Sequence, residues 1–203
     1  HSLVLITSCN IYRLQIRHIV NNINLDAVNT ANPAATEFEI NTAAELAGLA
    51  TLVNAGTDDF SGKTVALTEA VNLSEREWTA IGTYNSATST GAAFAGIFDG
   101  GGNVISGLLI GDKLAVYRGL FGYVNGLTGC TNNVTVWGGY QSAGGNKHIG
   151  GDLTGGIVGV GENCTIIGCA NYASVGGGCS VGGIAGNISG AVLNCANYGL
   201  VDV

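Results

Sequence analysis

The sequence contains no methionine, a single proline at Pro33, and only 7 lysines and arginines against 14 aspartates and glutamates. Each shortage excludes something. A formal charge of −7 provides no basic surface for gripping a phosphate backbone, so nucleic acid is not an expected partner. One proline, and glycines that keep no three-residue spacing, exclude collagen and polyproline. The apolar residues 3–6 fall far short of the roughly 20 needed for a membrane-spanning helix. Charged residues make up 10% and hydrophobic residues 46%, a mix too apolar for a disordered tail. The chain is therefore expected to fold, as one domain or at most two.

The missing methionine places the start of the chain after its initiator, as a processed product or a fragment of a longer frame. Residues 3–6 run into Thr7-Ser8-Cys9, which resembles the end of a bacterial lipoprotein signal with Cys9 as the lipidated residue and a lipid anchor in the cell envelope. The competing reading is ordinary upstream chain, because residues 11–25 are rich in Ile and Leu where such a tether is usually polar. Leu14 and Ile16 alternate with polar residues like a strand, whereas Ile16, Ile19, Val20 and Ile23 recur like a helix face; both remain open. Asn21, Asn22, Asn24, Asn29, Asn32 and Pro33 have a linker composition. Residues 1–36 thus read as remnant and linker, and 37–203 as the folded domain.

Thr42-Ala43-Ala44-Glu45 is a capping box, in which hydroxyl and carboxylate satisfy free backbone donors at a helix start. Leu46, Leu49, Ala50 and Val53 follow on one face, and Gly56 stands where a left-handed residue stops a helix. A short helix is expected over 42–55. Residues 63–67 and 71–73 have strand-like branching.

Glycine then dominates, with none in residues 1–47 and 30 of the 34 from Gly91 onward. Self-similarity explains it. Gly156-Ile157-Val158-Gly159 leads to Cys169-Ala170-Asn171-Tyr172, and Gly183-Ile184-Ala185-Gly186 leads to Cys195-Ala196-Asn197-Tyr198. The step is about 26 residues, a solenoid period. An earlier copy reads Gly119-Leu120-Phe121-Gly122 and Asn133 to Trp137, followed by an inserted loop from Gly138 to Thr154. A more diverged one covers residues 96–100 and 104–108. Each copy holds two or three apolar runs of about four residues between Gly or Asn bends, which fits three short strands per turn. So much glycine excludes a helical solenoid, at about 1 kcal/mol per interior Gly. The fold expected is all-β, a right-handed parallel β-helix with a short N-terminal capping α-helix that covers an otherwise sticky open edge. Strands stacked about 4.8 Å apart would align Val134, Cys169 and Cys195 in one column and Leu120, Ile157 and Ile184 in another.

Gly119-Leu120-Phe121-Gly122, its two degenerate copies, and the pairs Asn133-Val134 and Asn194-Cys195 resemble the GLUG-motif repeats of bacterial surface proteins. Residues 40–46, 78–82 and 98–100 are similar to the segment that commonly precedes such repeats, so the likeness covers about 40–201. It implies a cell-surface or extracellular, adhesin-like protein with a parallel β-helix fold. It carries no settled catalytic residues.

The remaining chemistry is sparse. Cys169 and Cys195, in matching places, would have β-carbons about 5 Å apart, outside the usual range of about 3.5–4.5 Å for a disulfide. Buried thiols are therefore expected. Cys164, Cys169 and Cys179 lack the close pair of a structural zinc site, and neither metal nor cofactor is expected. Asp58, Asp59, Asp99, Asp112 and Asp152 are scattered, Asp99 in a Gly-rich bend, and His148 with Asp152 reads as exposed loop rather than an acid/base pair. No enzyme is expected; the alternatives are a polysaccharide-degrading β-helix enzyme, whose carboxylates would converge, and a purely structural stalk. Trp137, Tyr172 and Tyr198 stand three places after the Val134–Cys169–Cys195 column, so they should point outward. They could form a flat ledge for sugar rings or a ladder shielding the bend, with Asn171 and Asn197 hydrogen-bonded beside them. The expected partners are glycan, extracellular matrix or host surface protein, and further repeats or domains of the same polypeptide, since Val203 falls near a repeat boundary.

Overall fold

The computed structural model describes residues 34–202 except positions 86, 89, 111–115, 127–129, 133 and 138–152. The chain divides into two units, His1–Ala34 and Ala35–Val203, and the fold described is that of the second. Cys9, residues 11–25, Asp112, and residues 138–152 of the inserted loop, with His148 and Asp152, lie outside the described residues.

The capping box forms as its residue types require. After strand β1 (Glu37–Ile40) and before α1 (Ala43–Asn54), the Thr42 hydroxyl accepts from the Glu45 amide at 3.2 Å, and the Glu45 carboxylate accepts from the Thr42 and Asn41 amides at 3.0 and 2.9 Å. At the other end Gly56 takes φ +67°. Its amide donates to Val53 and that of Thr57 to Leu52, which are the two bonds of a Schellman stop. Leu46, Leu49, Ala50 and Val53 are buried. Asn54 then ties the helix end to the strands, donating to the Ala80 carbonyl and accepting from the Gly82 amide. This is the only helix among the described residues, and none there is long and apolar enough to cross a membrane.

The rest is largely strand, and almost all of it parallel. One sheet runs β1, β2 (Thr64–Leu67), β6 (Ile97–Asp99), β9 (Cys130–Asn132), β12 (Val158–Ile167) and β16 (Ala185–Leu193), with β8 (Phe121–Asn125) also pairing β12. A second runs β3 (Val71–Asn72), β7 (Val104–Ser106), β10 (Thr135–Val136), β13 (Ala170–Asn171) and β17 (Ala196–Asn197). Two small parallel pairs join β11 (Thr154–Gly155) to β15 (Val181–Gly182) and β14 (Val175–Gly176) to β18 (Val201–Asp202). The exception is an antiparallel hairpin of β4 (Thr83–Asn85) and β5 (Thr90–Ala92), which the repeat pattern did not foreshadow because it precedes the repeats.

Register turns the sequence repeat into contact. Ala170 pairs Ala196 and Thr135 pairs Ala170, which brings Val134, Cys169 and Cys195 over one another. Ile157 donates its amide to the Ile184 carbonyl at 3.0 Å, and Phe121 donates to Ile157 at 2.9 Å. Leu120 and Ile157 are fully buried. The step is 26 residues along Ala170↔Ala196 but 27 along Val158↔Ala185. A bulge between Glu162 and Cys164 absorbs the difference, with Asn163 at φ +52°; one strand carries an extra residue there and bends. Because pairing continues past the bulge, β12 spans 10 residues and β16 spans 9. The expected runs of about four residues are corrected accordingly: the last two copies each have one long strand and several two-residue ones, while the copy before them has strands of five, three and two residues. Nearer the N-terminus the core is aromatic, with Phe94 and Phe98 both against Phe121 at 5.3 and 5.2 Å between ring centroids.

Candidate functional site

Strand alternation decides which side chains reach the outside. Through β13, Cys169, Asn171 and Ala173 are buried while Tyr172 between them is exposed. The parallel register repeats this placement. Trp137, Tyr172 and Tyr198 are all exposed, and their amides donate to Ile105, Val136 and Asn171 of the preceding strands.

The rings do not lie side by side. Trp137 and Tyr172 stack with centroids 4.4 Å apart and planes 16° from parallel, and Tyr172 and Tyr198 do so at 4.5 Å and 13°. A strand spacing of about 4.8 Å leaves room for one ring thickness and nothing else. The flat ledge of three open faces is thereby corrected. Tyr172 is stacked on both sides, whereas Trp137 and Tyr198 each have one stacked partner among the described residues, and Tyr198 is the most exposed of the three at 65%.

Behind the rings runs an amide ladder. Asn171 donates to Asn197 Oδ1 at 2.9 Å and to the Ala173 carbonyl at 2.8 Å, and accepts from the Ala173 amide at 3.1 Å. Asn197 repeats the local bond to Gly199. Glycine makes the space. A Cβ on Gly156 would stand 2.5 Å from Asn171 Cγ, and one on Gly183 would stand 2.1 Å from Asn197 Cγ. The Gly and the Asn of each copy are therefore one device read at two places in the sequence. The cysteine column is satisfied by backbone: Cys195 Sγ lies 3.4 and 3.6 Å from the Leu193 and Ile166 carbonyl oxygens, to either of which its one proton can be donated, and accepts from the Cys169 amide, and Cys169 Sγ lies 3.4 Å from the Thr131 and Ile167 carbonyl oxygens.

The scattered carboxylates have local duties. Asp99 accepts from the Gly101 amide, Asp58 from Phe60 and Asp59 from Ser61, all two residues on. Asp58 also pairs with Lys63. One polar group escaped the sequence reading. Tyr123 donates to the Glu162 carboxylate at 2.8 Å, and Asn125 donates to both at 2.9 and 3.2 Å. Tyr84 packs against the Tyr123 and Tyr117 rings. Burial, reinforced by the bond to Glu162, raises the Tyr123 phenol above its ordinary 10.0. These residues sit in two different copies or precede them, so only register Val160↔Tyr123 brings them together. No family model, no curated protein and no solved structure matches the chain.

Proposed function

We propose that the copies wind as a right-handed parallel β-helix, part of an adhesin-like or scaffold region displayed at a bacterial surface, which binds glycan or a matrix or host protein through its aromatic side. The constant parallel registers support the winding, and the hand follows the usual rule for parallel crossovers. The observation that carries the binding role is the exposed file of Trp137, Tyr172 and Tyr198. Exposed aromatics in a row are a recognised recognition element, apolar in body with a polar tip. The likeness to GLUG-motif repeats and the low charge agree with an external, protein- or sugar-facing surface.

The mutual stacking favours a second reading, a stalk whose rings serve only to shield the bend. Binding of the purified chain to glycan arrays and to matrix proteins separates the two. The adhesin reading expects retained ligands whose binding falls at least tenfold in Tyr198→Ala, which removes the most exposed ring of the file, with the fold intact by circular dichroism. Absence of any retained ligand, or binding indifferent to Trp137→Ala, Tyr172→Ala and Tyr198→Ala together, leaves the stalk.

A further inference from the structure

The polar group around Glu162 is built once and is not repeated. Gly161 faces the interior, since a Cβ there would stand 2.6 Å from the buried Cys164 Sγ, and its register partner Val124 is also buried. Strand alternation therefore turns the flanking files outward: Tyr123, Val160 and Asn187 form one, and Asn125, Glu162 and Ser189 the other. The β4–β5 hairpin leaves the stack between the bridges of Ile81 and Phe94 and lays the Tyr84 ring against Tyr123, 4.9 Å between centroids. It makes a step. Tyr123 and Val160 are buried with Tyr117 against Tyr84 and Leu153, whereas Glu162 is half-buried and Asn163, Asn187 and Ser189 are exposed.

One oxygen of Glu162 is fixed and the other is open. Oε2 accepts from the Tyr123 hydroxyl and the Asn125 amide at 2.8 and 3.2 Å, and Oε1 accepts from none of the described residues. Asn163 joins this group through its Nδ2, 3.4 Å from Asn125 Oδ1, which leaves its own side-chain oxygen open. The bulge between Glu162 and Cys164 places it there, at φ +52°, and bulges commonly re-aim side chains beside functional sites. In the next copy Ser189 stands opposite Glu162 and no residue stands opposite Asn163. The repeat itself does not require the device.

We propose that this step is a binding site for the vicinal hydroxyls of a neutral sugar ring, with Glu162 Oε1 accepting, the Asn163 and Asn187 amides donating and accepting, and Tyr84 as the apolar wall. The mix of groups selects the class. Amides and a serine hydroxyl offer both donors and acceptors, as hydroxyl groups require, whereas an ammonium or guanidinium needs acceptors only. Among the described residues no three His, Cys, Asp or Glu side chains converge to hold a metal ion. A carboxylate fixed beforehand also lowers the ordering cost of binding. The site lies on β8, β12 and β16 rather than on the strands of the aromatic file, and stands whether or not that file binds a ligand.

The test titrates the whole chain with the methyl glycosides of glucose, galactose and mannose, followed by amide NMR, and applies it to an array of neutral glycans. At least one sugar is expected to shift the side-chain amides of Asn125 and Asn163. Its affinity should fall at least tenfold in Glu162→Gln, which keeps an acceptor for Tyr123 but turns the open oxygen into an amide nitrogen. Asn163→Gly should cause a similar loss in a fold at least as stable, because glycine suits a positive φ better than asparagine does. Binding should persist when Trp137, Tyr172 and Tyr198 are all replaced by Ala. No sugar bound in either format, or affinity unchanged in either variant, overturns the proposal. Sugar retention that depends on the aromatic file alone also overturns it and leaves the adhesin reading standing. Shifts of the same amides by an N-acetyl-lysine amide and by no sugar would make the occupant a cation and overturn it as well.

Discussion

Residues 156–176 and 183–202 carry one pattern in two surroundings. Ile157, Cys169 and Asn171 are buried, while Ile184 and Cys195 are half-buried and Asn197 is exposed. Identical local chemistry thus has unequal energetic weight. In a stacked repeat, the worth of a residue is set by its neighbours above and below as much as by its own copy.

The comparison can be broken most strongly in the apolar column. Ile157→Ala should cost about 2–5 kcal/mol, as for other fully buried aliphatics. Ile184→Ala should cost about half of that or less, because part of its side chain is already in water. Urea unfolding of both variants measures the gap, and equal losses would mean that the last copy is covered in solution.

The amide ladder offers a smaller contrast. Asn171→Ala leaves the buried Ala173 amide without its acceptor, at about 1–3 kcal/mol. Asn197→Ala removes groups that water can replace, so its midpoint should move far less. Aromatic stacking gives a finer test still. Tyr172→Ala breaks two stacked contacts and Tyr198→Ala one, each worth about 0.5–1.5 kcal/mol. Trp137 fluorescence should shift with Tyr172→Ala and stay nearly unchanged with Tyr198→Ala.

The smallest effect at neutral pH concerns a group that the last copy lacks. Glu162, which holds the Tyr123 phenol, is replaced at its register partner by Ser189. With the Tyr123 pKa raised in the folded state, the unfolded phenol releases its proton first. Its contribution to stability is therefore complete below the ordinary value of 10.0 and is lost as pH rises through the folded value. Tyr123→Phe should flatten that alkaline decline, read from urea midpoints between about pH 8 and about pH 11.

Much of this was legible in the chain because it depends on close neighbours. The capping box spans four residues and closes on itself. The Asn-Tyr file follows from alternation and a fixed step, and Asp99 reads as a turn residue from its own Gly-rich bend. Less was legible wherever distance in the chain had to collapse. The Tyr123–Glu162 bond joins residues 39 apart, and no local pattern marks it. The β4–β5 hairpin lies outside the repeats. The Asn163 bulge was visible only as a spacing of ten residues in one copy against nine in the next.

By itself the sequence determined the strand-rich character, the helix and its two stops, and which residues share a file, since periodicity and capping are short-range properties of the chain. Only the tertiary structure decided that the aromatic rings meet face to face. Ring orientation depends on the spacing between paired strands, and about 4.8 Å admits a stack, where the sequence left an open ledge and a shielding ladder as alternatives. It also decided which copy is buried, because burial is conferred by the neighbouring strand and cannot be carried within the residues it covers.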